Sequence, residues 1–314
     1  MKRVALASPR HPGPAPAPRK SARRASSSLA PLLLSAISLT TTLTFYLPLV
    51  EAAGHARALQ EADRAAALTP LQSAVRAQAE RLSSADAEVR RDAVMRLRAL
   101  ARPEASRAAL PALGDASASV RAVAAHAVLS LGPHEAAAHV APLLRDRDEF
   151  VRREAAYALG RTGTAAVVPL VNALETDRSA AVRGAAAVAL GQLADTAALP
   201  ALANSLAASI PAPGFSDRGG RRRAERDEFV RRAAAVALGA VGSRAAVPAL
   251  TATLSDERTP DDVRRESAAA LGRIGDPAAA PALRAALDSR DPHLARLALD
   301  ALRRIGGPVP PAAP

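Results

Sequence analysis

Apolar residues along most of this chain fall on helical rather than strand spacing. Between positions 148 and 177, Val151, Ala155, Ala158 and Leu159 stand at i, i+4, i+7 and i+8. Val167, Leu170, Val171 and Leu174 come next at i, i+3, i+4 and i+7. Each set occupies one face of an α-helix, so the segment predicts two short amphipathic helices. Asp148 stands where it caps the first, Gly160 and Gly163 predict its stop, and Asp177 opens the next unit.

The same pattern is rewritten along the sequence. Val-Arg recurs at Val89-Arg90, Val120-Arg121, Val151-Arg152, Val182-Arg183, Val230-Arg231 and Val263-Arg264, with Leu294-Ala295 as a degenerate seventh. Successive spacings are 31, 31, 31, 48, 33 and 31 residues. A single insertion of 17 explains the outlier, and the Pro, Gly and Arg content of 209–226 reads as a loop. Pro169, Pro200, Pro248 and Pro281 enter the second helices early, where proline costs little. Pro111 and Pro142 lie about one turn later, so the first two second helices are expected to start later or kink. Helices this short, each with one apolar stripe and alanine at crossings, bury that stripe by stacking unit on unit.

The run Val151-Arg152-Arg153-Glu154-Ala155-Ala156-Tyr157-Ala158-Leu159-Gly160-Arg161-Thr162-Gly163 resembles the V-R-x-x-A-A-x-A-L-G-x-x-G of HEAT repeats, in the short form of phycobilisome-lyase-like proteins. The resemblance covers about 85–307. It implies an all-α, right-handed α-solenoid of six to seven two-helix repeats, with first helices outside and second helices lining a concave face. On that orientation Asn172, Glu175, Asn204, Thr251 and Arg284 face the concavity as partner-binding candidates. It says little about activity, because such repeats host many functions.

Composition narrows the chemistry. The chain has 314 residues, 49% hydrophobic but only 2% aromatic, with no Cys and no Trp. Thiolate catalysis, cysteine-held zinc and iron-sulfur clusters are thereby excluded, and a core built on large rings is disfavoured. Net charge is +12, but seven of the 42 basic residues precede position 53 against one acid, which leaves about +6 for the remainder. That charge is spread over many helices and lacks aromatic platforms, so a nucleic-acid groove is not expected.

Residues 1–28 are basic and rich in Pro and Ser, residues 29–50 are uncharged, and Val50-Glu51-Ala52-Ala53 supplies small residues at a cleavage site. This is the tripartite order of a secretory signal. The apolar stretch is nearly long enough to span a bilayer, yet only moderately apolar, which favours cleavage over retention as an anchor. The expected organisation is 1–52 as signal or anchor, 53–82 as an N-terminal helical cap, 83–307 as the solenoid with its loop at 209–226, and 308–314 as a disordered tail. The expected location is the periplasm or cell envelope, with membrane contact only through 29–50 if uncleaved.

Candidate sites are few. The recurring Arg90, Arg121, Arg152, Arg183, Arg231 and Arg264 are expected to bond Asp or backbone groups of neighbouring units. His126, His134, His139 and His293 share no i, i+4 pair around an acid. His134-Glu135 resembles the pairs that hold iron in HEAT-like hydroxylases acting on deoxyhypusine, but the equivalents one and two units on are Ala165-Ala166 and Thr196-Ala197, so no metal site is expected. No nucleotide loop, nucleophile elbow or isolated carboxylate pair occurs. Phe215 and Arg221-Arg222-Arg223 in the insertion suit an acidic partner. The chain reads as a non-catalytic scaffold for another protein or an extended peptide, without cofactor. The alternatives are a bilin-lyase-like, cofactor-handling enzyme, implied by the resemblance, and nucleic-acid binding.

Overall fold

The computed structural model describes residues 68–207 and 218–306, and among them all regular structure is helical. The leader 1–52, the beginning of the cap at 53–67, Phe215 and the tail 308–314 lie outside the described residues. Helix α1 (Pro70–Arg81) forms the described part of the cap. Thr69 and Gln72 close a reciprocal capping box at its start, which satisfies two backbone donors at once. Six helix pairs come after it. They are α2 (Ala87–Leu100) with α3 (Pro103–Ala109), α4 (Ala118–Ala127) with α5 (Pro133–Val140), and α6 (Glu149–Leu159) with α7 (Val167–Thr176). Then come α8 (Ala180–Leu193) with α9 (Leu199–Ala207), α10 (Arg218–Val241) with α11 (Val247–Ser255), and α12 (Asp261–Ile274) with α13 (Ala280–Ala285). A single α14 (Pro292–Arg304) ends the array.

First helices contact first helices from α2 through α14, and second helices contact one another from α7 through α13. This is the two-layer stacking of a solenoid, in which each stripe is covered by the next unit. The core is correspondingly small-grained. Its largest fully buried side chains are all leucines, among them Leu159, Leu190, Leu238 and Leu271 from first helices and Leu170, Leu202, Leu250 and Leu283 from second helices. Asp148 caps α6 as expected, accepting from the Phe150 and Val151 amides at 2.8 and 3.3 Å.

Three expectations are refined or corrected. As expected α6 ends at Gly160, but in right-handed geometry, and the equivalents Gly191, Gly239 and Gly272 lie inside α8, α10 and α12. Their purpose is close approach. A Cβ on Gly160, Gly191, Gly239 or Gly272 would come within 2.8–2.9 Å of the Cα of Ala189, Ala237, Ala270 or Ala301 in the next first helix. Reversal is left to later residues such as Gly163, with φ +79°.

Of the two outcomes expected for the early second helices, a late start does not occur, and the winding changes at the proline instead. Pro103 and Pro133 open α3 and α5 at N1 or N2, and the α-helix gives way to 3-10 turns at Leu110–Gly114 and Ala141–Arg145, around Pro111 and Pro142. A proline in mid-helix removes an i to i−4 bond, and the tighter winding accommodates it. From the third unit on the order reverses: a 3-10 turn such as Thr164–Ala166 precedes the α-helix.

The segment 209–226 is not a loop throughout, because α10 begins at Arg218. Arg, Ala and Glu between 221 and 228 are good helix formers, and a helix already nucleated at 228–241 propagates back through them cheaply.

Candidate partner-binding surface

The recurring arginines are structural. Arg90 holds Asp115 with Nε and Nη2 at 2.7 and 2.8 Å, Arg121 holds Asp146 at 2.7 Å through both, and Arg152 holds Asp177 at 2.7 and 3.2 Å. The remaining Nη1 of Arg121, Arg152 and Arg183 donates to the backbone carbonyl of the Asp gripped by the previous arginine, at 2.9 Å each. The result is a continuous ladder from Arg90 to Arg183. The bidentate, charge-assisted hydrogen bonds from Arg90 and Arg121 push the carboxyls of Asp115 and Asp146 below the ordinary value. Past the insertion the ladder changes partners. Arg231 donates to the Leu206 carbonyl and Thr259 hydroxyl, and burial lowers its pKa. Arg264 donates to the Leu254 carbonyl, while Arg265 takes Asp291 at 2.6 Å.

With interior charge spent this way, the exposed second-helix row supplies what is available to a partner. Asn172, Glu175, Asn204 and Arg284 are exposed there and Thr251 is half-buried. Thr251 donates its hydroxyl back to the Val247 and Pro248 carbonyls of its own helix. Asn172 accepts from the Thr176 hydroxyl at 2.9 Å. Along the same row run Pro111, Pro142, Pro200, Pro248 and Pro281, all exposed, and Pro169, half-buried. Arg221, Arg222 and Arg223 stand on the helical backbone of α10, and their side chains fall outside the described set.

Of the sequence candidates, Asn172 lines a groove. The groove has a volume of about 530 Å³ between the second and third units, where Ala138, Ala141, Pro142, Leu144 and Arg145 face Val168, Pro169, Ala173, Thr176 and Asp177. Its origin is the change in helix order. The second unit ends its second helix in a 3-10 turn, the third begins its own in one, and α7 touches the unit before it through Ala141–Arg145. Sequence reading passed over Arg145 and Val168. The usable signal was the proline shift from Pro142 to Pro169, 22 and then 18 residues after the unit's valine.

On the first-helix side, His126 Nε2 lies 3.1 Å from Glu154 Oε2, across the boundary between α4 and α6. Its Nδ1 is buried and has no hydrogen-bond partner. Burial holds its pKa below the ordinary value, against the pull of Glu154. Phe150 is 44% exposed under the Arg153 guanidinium, 5.1 Å from the ring centroid, and Phe229 lies against Gly184. Among the described residues, no group of three or more His, Asp or Glu side chains is arranged to hold a metal ion. No helix among them is long and apolar enough to cross a membrane.

Comparison with known proteins agrees with this architecture. A family model for HEAT repeats matches residues 75–160, 139–212 and 257–313, and one for the PBS lyase HEAT-like repeat matches 230–256. No curated protein sequence matches the chain. Among solved structures, YibA of Escherichia coli is similar at 20% identity with TM-score 0.50, over 75% of this chain and 82% of that one. The CpcE–CpcF complex of phycocyanin lyase from Nostoc sp. PCC7120 is similar at 24% identity with TM-score 0.43, over 76% and 87%. Human deoxyhypusine hydroxylase is similar at 23% identity with TM-score 0.34, over 74% and 96%. At these identities the likeness speaks for fold alone. With a stacked two-helix architecture and family models matching more than half of its length, this chain belongs to the HEAT-repeat family.

Proposed function

We propose that this protein is a non-catalytic scaffold that holds another protein, or an extended peptide from one, along its second-helix face. The supporting observation is how the polar groups are divided. The buried guanidinium and carboxylate groups of the ladder are consumed in joining units, while the second-helix row presents exposed proline, alanine and amide side chains beside an open groove. Such a surface suits adaptable contact over many units rather than bond-making chemistry, which needs converging ionisable groups. A family orientation with second helices on the concave side would let one partner touch several units together.

The same proposal places the protein in the periplasm or envelope, delivered by residues 1–52, with 29–50 as the apolar segment of the signal. A tagged protein captured from envelope fractions should retain a defined partner that the triple variant Asn172→Ala, Asn204→Ala, Arg284→Ala loses at unchanged helicity. Equal retention by wild type and variant would remove the second-helix face from the reading. Sequencing the N-terminus of protein recovered from its native host should begin near Ala53, and an intact Met1 in the cytosolic fraction would overturn export.

A further inference from the structure

Beyond the general surface, the groove between the second and third units has a distinct chemistry. Its floor is apolar and small-grained, built from Ala138, Ala141, Leu144 and Ala173, and Val168 stands 79% exposed at its edge. Among large apolar residues so exposed, it is one that no neighbouring unit covers, although it belongs to an amphipathic helix with a well-buried opposite face. Two carboxylates of the ladder lie at or beside the groove, and both are already satisfied. Asp177 is held by Arg152, and Asp146 by Arg121. Arg145 is exposed, lines the same groove and makes no ion pair among the described residues. An apolar slot with a guanidinium that the ladder does not engage therefore offers a carboxylate-binding group, while Glu175, exposed beside Thr176, is another charged side chain next to it.

We infer that this groove is a peptide-anchoring site. It takes an extended segment of a partner protein that seats an aliphatic side chain on the alanine floor and presents a Glu or Asp carboxylate to Arg145. In an extended chain, residues two apart point the same way, about 6.4–6.8 Å along the backbone, so an aliphatic-x-acidic segment presents both side chains to one face. The guanidinium fork favours a carboxylate over a neutral amide. This inference rests on the second-helix face being the binding face, and it goes further by naming the anchor and its chemistry.

The test uses the whole protein and a fluorescein-labelled peptide, Gly-Ser-Leu-Ser-Glu-Ser-Gly amide, read by anisotropy at low salt. Replacing its Glu by Gln should weaken binding about tenfold, and Arg145→Gln should weaken the parent peptide by the same factor while binding the Gln peptide as wild type does. Val168→Ser, a change at an exposed position that leaves the fold intact, should cost a further several-fold with the Leu peptide and nothing with its Leu→Ser version. An unchanged Glu/Gln ratio in Arg145→Gln overturns the anchor, as does the absence of saturable binding at millimolar peptide. If the peptide instead loses affinity on Arg284→Ala or Asn204→Ala but not on Arg145→Gln, the second-helix face stands and the groove assignment falls. Equal binding of a peptide whose sole carboxylate is its C-terminus would reassign the site to chain ends.

Discussion

Arg121 grips Asp146 with two parallel hydrogen bonds of 2.7 Å, twenty-five residues along the chain and one unit further along the array. The side chains are only 7% and 9% exposed, so the pair is largely withdrawn from water, and its third arm reaches the Asp115 carbonyl. Removing one partner strands the other in a site that offers no substitute. Breaking such a pair costs about 3 kcal/mol. Arg121→Ala should therefore lower the urea midpoint well beyond Arg96→Ala, which loses an exposed i, i+4 pair with Asp92 worth only a few tenths. Similar midpoints for the two variants would contradict the ladder's role.

The same pairs set the acid limit. Hydrogen bonds from Arg90, Arg121 and Arg265 hold Asp115, Asp146 and Asp291 below the ordinary carboxylate value of 3.8. A depressed carboxyl stabilises the fold fully above its unfolded-state pKa and loses that contribution as pH falls through the folded one. Stability from the ladder should thus be flat above about pH 5 and drop steeply below about pH 4. Circular dichroism across an acid titration should show Asp146→Asn losing helix at a higher pH than wild type.

Gly191 sits inside α8, where helix propensity alone predicts that alanine would stabilise by about 1 kcal/mol. The neighbouring unit reverses the sign. A Cβ there would lie 2.8 Å from the Ala237 Cα, and backbone cannot swing aside as a side chain does. Gly191→Ala should therefore destabilise by about 1–3 kcal/mol, the range of an overpacked contact. Gly114→Ala, with nothing within 4 Å of the added methyl, serves as the control. A stabilised Gly191→Ala would mean that the first helices are spaced more widely than described.

These cases show where the sequence was readable. The fold was legible because one unit, written six times with Val-Arg at its head, fixes both helix period and stacking partner. The ladder was legible in part: the arginine column and turn aspartates were visible, while the offset linking Arg152 to Asp177 rather than Asp146 arises only when units stack. The helix end at Gly160 was legible, while its packing constraint was not, because that comes from Ala189, a residue 29 positions away. The groove was opaque for a related reason. It belongs to neither unit but to the mismatch between a helix ending in a 3-10 turn at Pro142 and one beginning after such a turn near Pro169. Asn172 was visible as a polar residue of a second helix, whereas Arg145 lies in the turn segment at the end of one and so fell outside that pattern.

His126 yields the last prediction, because its two nitrogens have unequal fates. With Glu154 ionised, Nε2 donates to it at 3.1 Å, and Glu154 in turn accepts from Arg153. Nδ1 is left as a bare acceptor, buried without a partner. A second proton would place an unsatisfied N–H there, with Arg98 and Arg161 opposing the new charge, and desolvation outweighs the attraction of Glu154. The folded imidazole therefore binds its proton more weakly than the unfolded one, whose ordinary value is 6.5. Where the unfolded chain holds more protons, stability rises with pH, so this site should stabilise above about pH 6.5 and weaken the α4–α6 contact below it, by at most about 1.4 kcal/mol per pH unit. His126→Gln keeps a donor for Glu154 and cannot titrate. Urea midpoints at about pH 7.5 and about pH 5.5 should diverge for wild type and nearly coincide for the variant, and parallel shifts in both proteins would assign the pH response to other groups.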